Sequence, residues 1–479
     1  MRRLAALLAG LVLGLGAGGC VRLGPKPSNP PLPVKLPSAY EQAATGMVQG
    51  RVDPHWWKDF ADPTLNSLVK KALAHNPSIT IAAARVMEAR ALWERARALR
   101  LPQLSLSATG KKYQTAVNPY MPLLPRRYES YELALRASYE VDLWQRLASA
   151  DRAAWEGLLA TEAAKEVVIQ GVVAQVASAY FRACSLEKRL SIARQRVENL
   201  RESLKWVQAR YDRGLASALQ LKQARRGMLT AQAAVVLLAQ QLTLARQELN
   251  VLTGAYPSAK GPKCSFRWDL KDLKPVPSGL PADLLSRRPD LARAMAQVRA
   301  AQASVAQAIA NRLPRITLTG AFGYSSMYLH HLIGPASELW SLAAGILAPL
   351  VDWGARAAAQ KAAEARLKQA VASWAKAVLT ALQEVEGALA TRRYLLRRER
   401  LLAQALAEAT AAYEVATDRY KRGLSPYLDV LETERARYEL ADELVQCRLG
   451  IVTNRIRLYR ALGGGWRGFK EKGNAGAEG

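Results

Sequence analysis

Long stretches of this chain carry apolar residues in an alternating four-then-three spacing. Residues 156–252 contain no proline, and such a spacing places apolar side chains along one stripe of a helix, as in a coiled coil. The first stripe comprises Leu186, Leu190, Ala193, Val197, Leu200, Leu204, Val207 and Tyr211, and the second Ala231, Val235, Leu238, Leu242, Ala245, Leu249 and Leu252. The pattern predicts two long antiparallel helices joined by a turn at residues 213–217.

The same pattern returns later in the chain. One stripe comprises Leu395, Leu402, Leu406, Ala409, Tyr413, Ala416 and Tyr420, and its return comprises Leu440, Leu444, Cys447, Ile451, Leu458 and Ala461. A helix over residues 153–211 would be about 90 Å long, which no compact globular domain needs. The predicted length of these helices therefore indicates a tube or a structure that spans the distance between two compartments.

A second pattern, with a period of two, separates these helices. It places Tyr131, Leu133, Leu135, Ala137, Tyr139 and Val141 on one face of a strand, and similar alternation marks residues 104–109 and 316–322. A weaker fourth strand is predicted around residues 339–349. Strands with one apolar and one polar face are typical of a membrane barrel, although a soluble sheet with one solvated face gives the same alternation. Four strands cannot close a barrel in lipid, so several chains would have to share one.

These elements occur twice. Residues 210–215 (Arg-Tyr-Asp-Arg-Gly-Leu) return as 419–424 (Arg-Tyr-Lys-Arg-Gly-Leu), and further landmarks follow in the same order. We interpret the chain as a duplicated unit of helix, two strands and helical hairpin. The predicted regions are a signal peptide (1–19), a lipid-anchored tether (20–55), repeat 1 (56–257), a linker (258–278), repeat 2 (279–466) and a flexible tail (467–479).

The N-terminus predicts export. Arg2 and Arg3 precede an apolar run that is too short for a comfortable membrane span, as in a secretory signal. Ala17-Gly18-Gly19-Cys20 resembles a bacterial lipoprotein processing site, which would make Cys20 the acylated first residue of the mature chain. The alternative is ordinary signal cleavage that leaves Cys20 as a free thiol. Val21 favours the outer membrane over retention at the inner membrane, and the proline-rich segment that follows predicts an extended tether.

Composition excludes several classes of function. The net charge of +28 could indicate nucleic acid or an anionic membrane, but an exported chain meets little nucleic acid and the basic residues are scattered. The four histidines and four cysteines show no metal-ligand spacing and no catalytic motif, so neither an enzyme, a metal nor a cofactor is expected. Cys447 lies in a helical stripe and is predicted to be a small buried residue.

Three further motifs carry a resemblance to a known family. They are Trp56-Trp57-Lys58-Asp59-Phe60 with Asp62-Pro63-Thr64-Leu65, then Asp283-Leu284-Leu285-Ser286-Arg287-Arg288-Pro289-Asp290, and Arg419-Tyr420-Lys421-Arg422-Gly423-Leu424-Ser425. With the duplication, they resemble the TolC-like outer-membrane factors, in particular the lipoprotein branch that serves resistance-nodulation-division (RND) efflux pumps.

The resemblance implies a fold, partners and a location. The fold is mainly α with membrane β: a homotrimer whose duplicated hairpins form an α-barrel across the periplasm, with four strands per chain in a shared twelve-stranded β-barrel. The function implied is a passive exit duct in the outer membrane, supplied by an inner-membrane RND-type transporter through a periplasmic adaptor protein. Residues 111–130 and 325–336 would form outer loops.

The resemblance also implies two kinds of site. Arg213, Gly214 and Leu215, with Arg422, Gly423 and Leu424, occupy the positions that the adaptor engages, although glycine also simply permits a tight turn.

Asp429 and Glu432 match the family's constriction carboxylates and share one helix face, with Tyr420 packing across the tip. In a trimer they would approach one axis, repel one another and attract cations; the alternative is a solvated helix face. The equivalents in repeat 1 are Gln220 and Gln223, so repeat 2 alone would carry this ring.

Two rival functions use similar elements. The outer-membrane component of type I protein secretion shares the architecture, and a periplasmic coiled-coil scaffold would share the helices without spanning a membrane. The lipid anchor and the Arg287-Arg288-Pro289-Asp290 segment favour efflux of drugs or metals. The cargo itself is not readable from the sequence.

Overall fold

The computed structural model of the chain describes residues 24–25, 29–41, 50, 52–114, 127–266, 268, 276–277, 279, 281–466 and 468. The predicted signal peptide, Cys20, parts of the tether and linker, and nearly all of the tail lie outside the described residues. The predicted region bounds therefore stay predictions.

The elements follow one plan twice. The first series is α1 (Pro63–His75), α2 (Pro77–Ala98), β1 (Gln103–Gln114), β2 (Arg127–Val141), α3 (Arg146–Asp212) and α4 (Ala218–Leu252). The second is α5 (Leu284–Arg287), α6 (Pro289–Ala310), β3 (Arg315–Ser326), β4 (Glu338–Leu347), α7 (Ala355–Lys421) and α8 (Tyr427–Ala461). The long helices match in length, since α3 and α7 have 67 residues each and α4 and α8 have 35 each.

Two compact units divide these elements. The strand unit comprises Met1–Pro31, Arg85–Glu162 and Arg293–Ala375, and the helical unit comprises Leu32–Ala84, Ala163–Ala292 and Lys376–Gly479. Each unit draws residues from both predicted repeats.

The strand unit holds one antiparallel sheet, in the order β1-β2-β3-β4 within the described residues. The register makes Leu106, Leu135, Phe322 and Trp340 successive cross-strand neighbours, so they share one face. All four side chains are exposed. The opposite face carries polar side chains, among them Arg136, which pairs with Glu132. The four predicted strands with one apolar face are therefore present, and β1 and β2 extend into the predicted outer loop 111–130, of which residues 115–126 lie outside the described residues.

The helical unit is held by the seams that the sequence predicts. Leu186 and Leu190 of α3 pack with Leu238 and Leu242 of α4, and Cys447 of α8 is a buried free thiol, as predicted. Tyr211, the last residue of the first predicted stripe, is 41% exposed, so that assignment is wrong at its end. Both α3 and α4 are long and apolar enough to cross a membrane by length and composition alone, and part of their apolar residues lies in this seam.

The family motifs stabilise the helical unit. Trp56 is buried and stacks on Tyr459 of α8, with ring centroids 5.1 Å apart. Arg288 is buried, donates to the carbonyl oxygen of Ala461 at 2.9 Å, and pairs with Asp290 at 2.7 Å and Glu384 at 2.8 Å. It thereby satisfies a carbonyl at the C-terminal end of α8 and joins the start of α6 to α7 and α8.

A disulfide joins Cys184 of α3 to Cys264, with Cα atoms 5.2 Å apart. The sequence analysis missed it, because two cysteines 80 residues apart show no local spacing signal. Next to it, Ser265 donates from its hydroxyl to Asp62 at 2.8 Å, and Asp62 also accepts a hydrogen bond from Tyr180. The disulfide therefore fastens the predicted linker to α3. Disulfides are expected in an exported chain, which folds in an oxidising compartment.

Candidate functional site at the two helical turns

The two turns that join the long helices have the same backbone. Gly214 and Gly423 adopt left-handed conformations with φ of 72° and 79°, which glycine permits without strain. The amide of Leu215 donates to the carbonyl of Arg210, and that of Leu424 to the carbonyl of Arg419, both at 2.8 Å. These are the bonds of a Schellman motif, which satisfies carbonyls at a helix end. The helix before each turn therefore ends in the same C-terminal capping motif.

Both turns present the same side chains to solvent. Leu215 and Leu424 are each 65% exposed, and Arg213 and Arg422 are also exposed. A Cβ at Gly214 would meet no atom within 4 Å, and one at Gly423 only the guanidinium of Arg210 at 3.9 Å. The glycines are therefore required by backbone conformation and not by crowding, and the space outside the turns is open.

The helix after the first turn has a complete N-cap. Ser217 accepts from the amide of Gln220 at 3.3 Å, and the Gln220 side chain accepts from the amide of Ser217 at 3.1 Å. This reciprocal capping box satisfies two amides that have no partner inside the helix. Gln220 is therefore engaged locally.

The helix after the second turn has no such cap. Its N-cap is Pro426, which has no amide hydrogen and makes no side-chain cap bond. Asp429 stands at the position equivalent to Gln220, and its carboxylate makes no hydrogen bond or ion pair among the described residues. Both Asp429 and Glu432 are exposed on the same face of α8.

Aromatic packing replaces the cap at the second turn. Tyr420 and Tyr427 are 5% and 1% exposed, with ring centroids 5.4 Å apart. Arg210 of α3 lies 5.0 Å from the centre of the Tyr420 ring and donates to the Tyr420 carbonyl at 3.1 Å. Burial raises the pKa of both phenols. Tyr420 therefore contacts Arg210 of the other hairpin, and Tyr427 packs beside it, a contact that the sequence analysis did not predict.

A buried ion pair lies two turns further along α8. Glu434 is 2% exposed and accepts from Arg196 of α3 at 3.1 Å, while the Arg196 guanidinium lies 4.3 Å from the centre of the Tyr438 ring. Burial raises the pKa of Glu434, opposed by the positive charge of Arg196. A second pair, Arg189 with Asp442 at 2.6 Å, also joins α3 to α8. Sequence reasoning missed these pairs because their partners are far apart in the chain.

The side chains at the turns are charged and apolar and lie at the surface. No group of three or more His, Cys, Asp or Glu residues that could hold a metal occurs in the part of the chain that the structure describes. What the turns bring together is an exposed Arg-Gly-Leu corner on each hairpin and, on the second alone, two free carboxylates. Such a site can bind a protein or an ion.

A family model described as outer membrane efflux protein matches residues 68–255 and 280–464. The two matched segments each contain one pair of strands and one helical hairpin. Together they cover most of the chain.

Individual relatives agree with this match. The pyoverdine export outer membrane protein OpmQ of Pseudomonas aeruginosa is 33% identical over 471 residues, which are 94% of this chain and 96% of that protein. The probable outer membrane lipoprotein SilC of Salmonella typhimurium is 30% identical, over 94% of this chain and 96% of its own length. The solved structure of the outer-membrane channel OprN superposes with a TM-score of 0.84 at 27% identity, over 93% of this chain and 100% of that one. This chain therefore belongs to the outer membrane efflux protein family, and it is an efflux channel of the trimeric, TolC-like fold.

Proposed function

We propose that this protein is the passive exit duct of an RND-type tripartite efflux system, and that the second helical turn forms its periplasmic aperture. The supporting observation is the difference between two equivalent positions. Gln220 is engaged in a capping box, whereas Asp429 is exposed and free. At these equivalent positions, the second hairpin therefore carries carboxylates where the first carries amides.

The aperture acts through charge. Asp429 and Glu432 of three chains would bring six carboxylates together where the hairpins converge, and like charges at close range attract counter-cations. The buried tyrosines and the contact of Arg210 with Tyr420 fasten the second hairpin against α3 at this point. The aperture is narrow and cation-attracting in the resting channel, and opening requires the second hairpin to move away from the first.

The adaptor contacts are the corners Arg213-Gly214-Leu215 and Arg422-Gly423-Leu424. Their matching backbones and equal exposure give each chain two nearly equivalent docking points. Replacing Leu215 and Leu424 together with Asp should abolish co-purification of the adaptor while the channel stays trimeric. Undiminished co-purification would contradict this assignment.

The cargo class follows from the relatives. The name of OpmQ assigns that protein to pyoverdine export. We propose that this duct likewise carries small molecules in preference to whole proteins. We also propose that Cys20 is acylated and anchors the chain to the outer membrane, in keeping with the name of SilC. Intact mass of the mature protein tests this: a free N-terminal cysteine without added acyl mass would contradict it.

Planar-bilayer recording of the purified full-length protein, paired with its native mass, tests the proposed function. The expected result is a trimer whose pores are mostly closed, small and cation-sensitive. A trimer that never conducts, or one with large, permanently open pores, would contradict the proposed aperture.

A further inference from the structure

Three arginines meet at a groove between α3, α4 and α8. The groove has a volume of about 440 Å³, and its lining includes Arg182 of α3, Glu248 of α4, and Arg457 and Arg460 of α8. A second groove of about 630 Å³ shares Arg182 and Glu248 with it and continues along the same three helices. Grooves of this volume suit a small organic molecule. We call the first one the arginine groove.

The arginine groove has an excess of positive charge. Arg182 pairs with Glu248, and Arg460 lies 3.8 Å from the carboxylate of Glu384. Arg457 is exposed and makes no ion pair among the described residues. A guanidinium group stays protonated and presents several donors to a carboxylate or a sulfonate. Arg457 can therefore hold an anion that comes from outside the chain.

The rest of the lining is neutral. Leu449 and Ile456 of α8, with Ala174 of α3, form an apolar wall, and Gln175 and Ser178 of α3 add neutral hydrogen-bonding groups. A site of this kind takes most of its contact area from apolar side chains and its orientation from a few polar ones. The ligand that fits is an organic anion with an apolar body.

Helix α8 keeps one orientation from the second turn to the arginine groove. Val430, Leu444, Ile451 and Leu458 stand at multiples of seven residues and are 3%, 7%, 8% and 1% exposed. A straight α-helix would turn such a stripe gradually away from its partner, whereas a coiled-coil helix keeps the stripe in contact. Positions that are related by multiples of seven residues therefore share one face of α8.

This relation places the arginines on the face that carries the aperture carboxylates. Arg457 stands immediately before the last member of the buried stripe, and Asp429 immediately before the first. Arg460 and Glu432 each follow three residues later. The face of α8 therefore carries negative charge beside the turn and positive charge at the arginine groove.

We propose that the arginine groove binds small organic anions inside the duct, with Arg457 and Arg460 holding the anionic group and the apolar wall holding the rest of the molecule. The inference rests on the proposed function, because it takes the face of α8 that carries Asp429 to line the duct. Rotation about the trimer axis gives three such grooves around one passage. Anionic cargo that has passed the opened aperture meets a basic site beyond the carboxylates.

Equilibrium dialysis of the full-length trimer in detergent against 1-naphthalenesulfonate tests the groove. Arg457→Gln should weaken binding by about tenfold, because it removes a charged hydrogen-bond donor. The matched control is Arg194→Gln, which removes an exposed arginine of α3 outside the groove and should keep the native affinity. Native mass confirms that both variants are trimers.

An uncharged analogue tests the role of the anionic group. 1-Naphthalenesulfonamide has the same rings without the charge, and it should bind the native trimer about tenfold more weakly than the sulfonate. Equal affinity of the two compounds would overturn the proposal. So would equal affinity of the native and Arg457→Gln trimers for the sulfonate, or an equal loss in Arg194→Gln.

Single-channel conductance tests the position of the groove. Arg457→Cys modified with a bulky maleimide should conduct less than the native protein treated in the same way, because the added group would stand in the passage. Unchanged conductance would overturn the placement of the groove inside the duct.

These outcomes are separable from those that test the duct itself. A conducting trimer that does not bind the sulfonate contradicts the arginine groove and leaves the duct intact. A trimer that binds the sulfonate through Arg457 and never conducts contradicts the duct and leaves the binding site intact.

Discussion

The first and second helical turns share a backbone and differ in what completes them. After the first turn, Ser217 and Gln220 cap the helix with their own side chains. After the second, Pro426 provides no cap, and buried Tyr420 and Tyr427 supply tertiary packing instead. The equivalent of Tyr420 in the first hairpin is Tyr211, which is 41% exposed against 5% for Tyr420.

Under the proposed function, this difference gives the two copies of a duplicated unit different roles. The glycine turn and its exposed arginine and leucine are kept in both copies, which suits docking to a partner. The side chains beyond the turn have diverged. The start of α4 is stabilised by local hydrogen bonds, whereas the start of α8 depends on tertiary packing that includes α3. An element fastened by tertiary contacts can be released without unfolding its neighbour, which suits a moving part.

The largest expected effect concerns the buried ion pair. Glu434→Ala should reduce the free energy of unfolding by about 3–5 kcal/mol, because it removes a buried side chain and leaves the Arg196 guanidinium without its hydrogen-bond acceptor in a buried site. The matched control is Arg225→Ala at the equivalent position of the first hairpin, which is exposed and should change stability by about 0.5 kcal/mol or less. Urea denaturation of both variants measures the difference. Similar small losses at both positions would show that the second hairpin is not fastened by this pair.

The same carboxyl predicts a pH dependence. Burial raises the pKa of Glu434 in the folded chain, whereas in the unfolded chain it keeps its ordinary value. The folded state therefore binds a proton more readily than the unfolded state. The free energy of unfolding rises as the pH falls from the raised pKa to the ordinary pKa, and this gain is lost as the pH rises through the raised pKa. Relative to Glu434→Gln, the native protein should gain stability on acidification across that window. A difference that does not vary with pH would contradict this.

Converting the second turn into the first gives the next effect. Pro426→Ser restores an amide hydrogen and adds a hydroxyl that can accept from the amide of Asp429, which should stabilise the start of α8 by about 1 kcal/mol. The Asp429 carboxylate could then accept from the restored amide, as Gln220 does. Thermal unfolding measures the first consequence, and a loss of cation preference in single channels measures the second. A variant with unchanged stability and unchanged selectivity would argue against the role given to the missing cap.

An effect of similar size concerns one hydroxyl. The Tyr427 hydroxyl is buried and has no hydrogen-bond partner among the described residues. Tyr427→Phe keeps the ring and removes a polar group that is buried without a partner. The free energy of unfolding should therefore increase by about 1 kcal/mol. Tyr211→Phe at the exposed position serves as the control and should change little. Destabilisation by Tyr427→Phe would show that the hydroxyl has a partner in the assembled channel.

The sequence predicts the fold well because the fold is made of periodic elements. The stripes over 186–207 and 231–252, the four strands and both glycine turns can be read from spacing alone, and the structure contains them. The fourth strand has only a weak alternation in the sequence. Its pairing with β3 in the structure places Trp340 and Leu342 on the apolar face of the sheet.

The site was predictable only in part. The turns at Gly214 and Gly423 can be predicted from local spacing. The choice of Asp429 and Glu432 comes from the resemblance to the family, and their role stays a prediction. The Arg196 and Glu434 pair and the Cys184 and Cys264 disulfide join residues that are distant in sequence, so no local pattern marks them. The capping box at Ser217 and Gln220 did have a local signal, a serine three residues before a glutamine at a helix start, and Pro426 at the equivalent position shows where that signal is lost.

The most direct test is the ion selectivity of single channels in planar bilayers, for the native protein and for Asp429→Asn with Glu432→Gln. If the second turn forms the aperture, neutralising these carboxylates should shift the reversal potential in a salt gradient away from cation preference. Gln220→Glu with Gln223→Glu on the first hairpin should leave the preference nearly unchanged. Unchanged reversal potentials in the Asp429 and Glu432 variant would contradict the assignment of the aperture to the second turn.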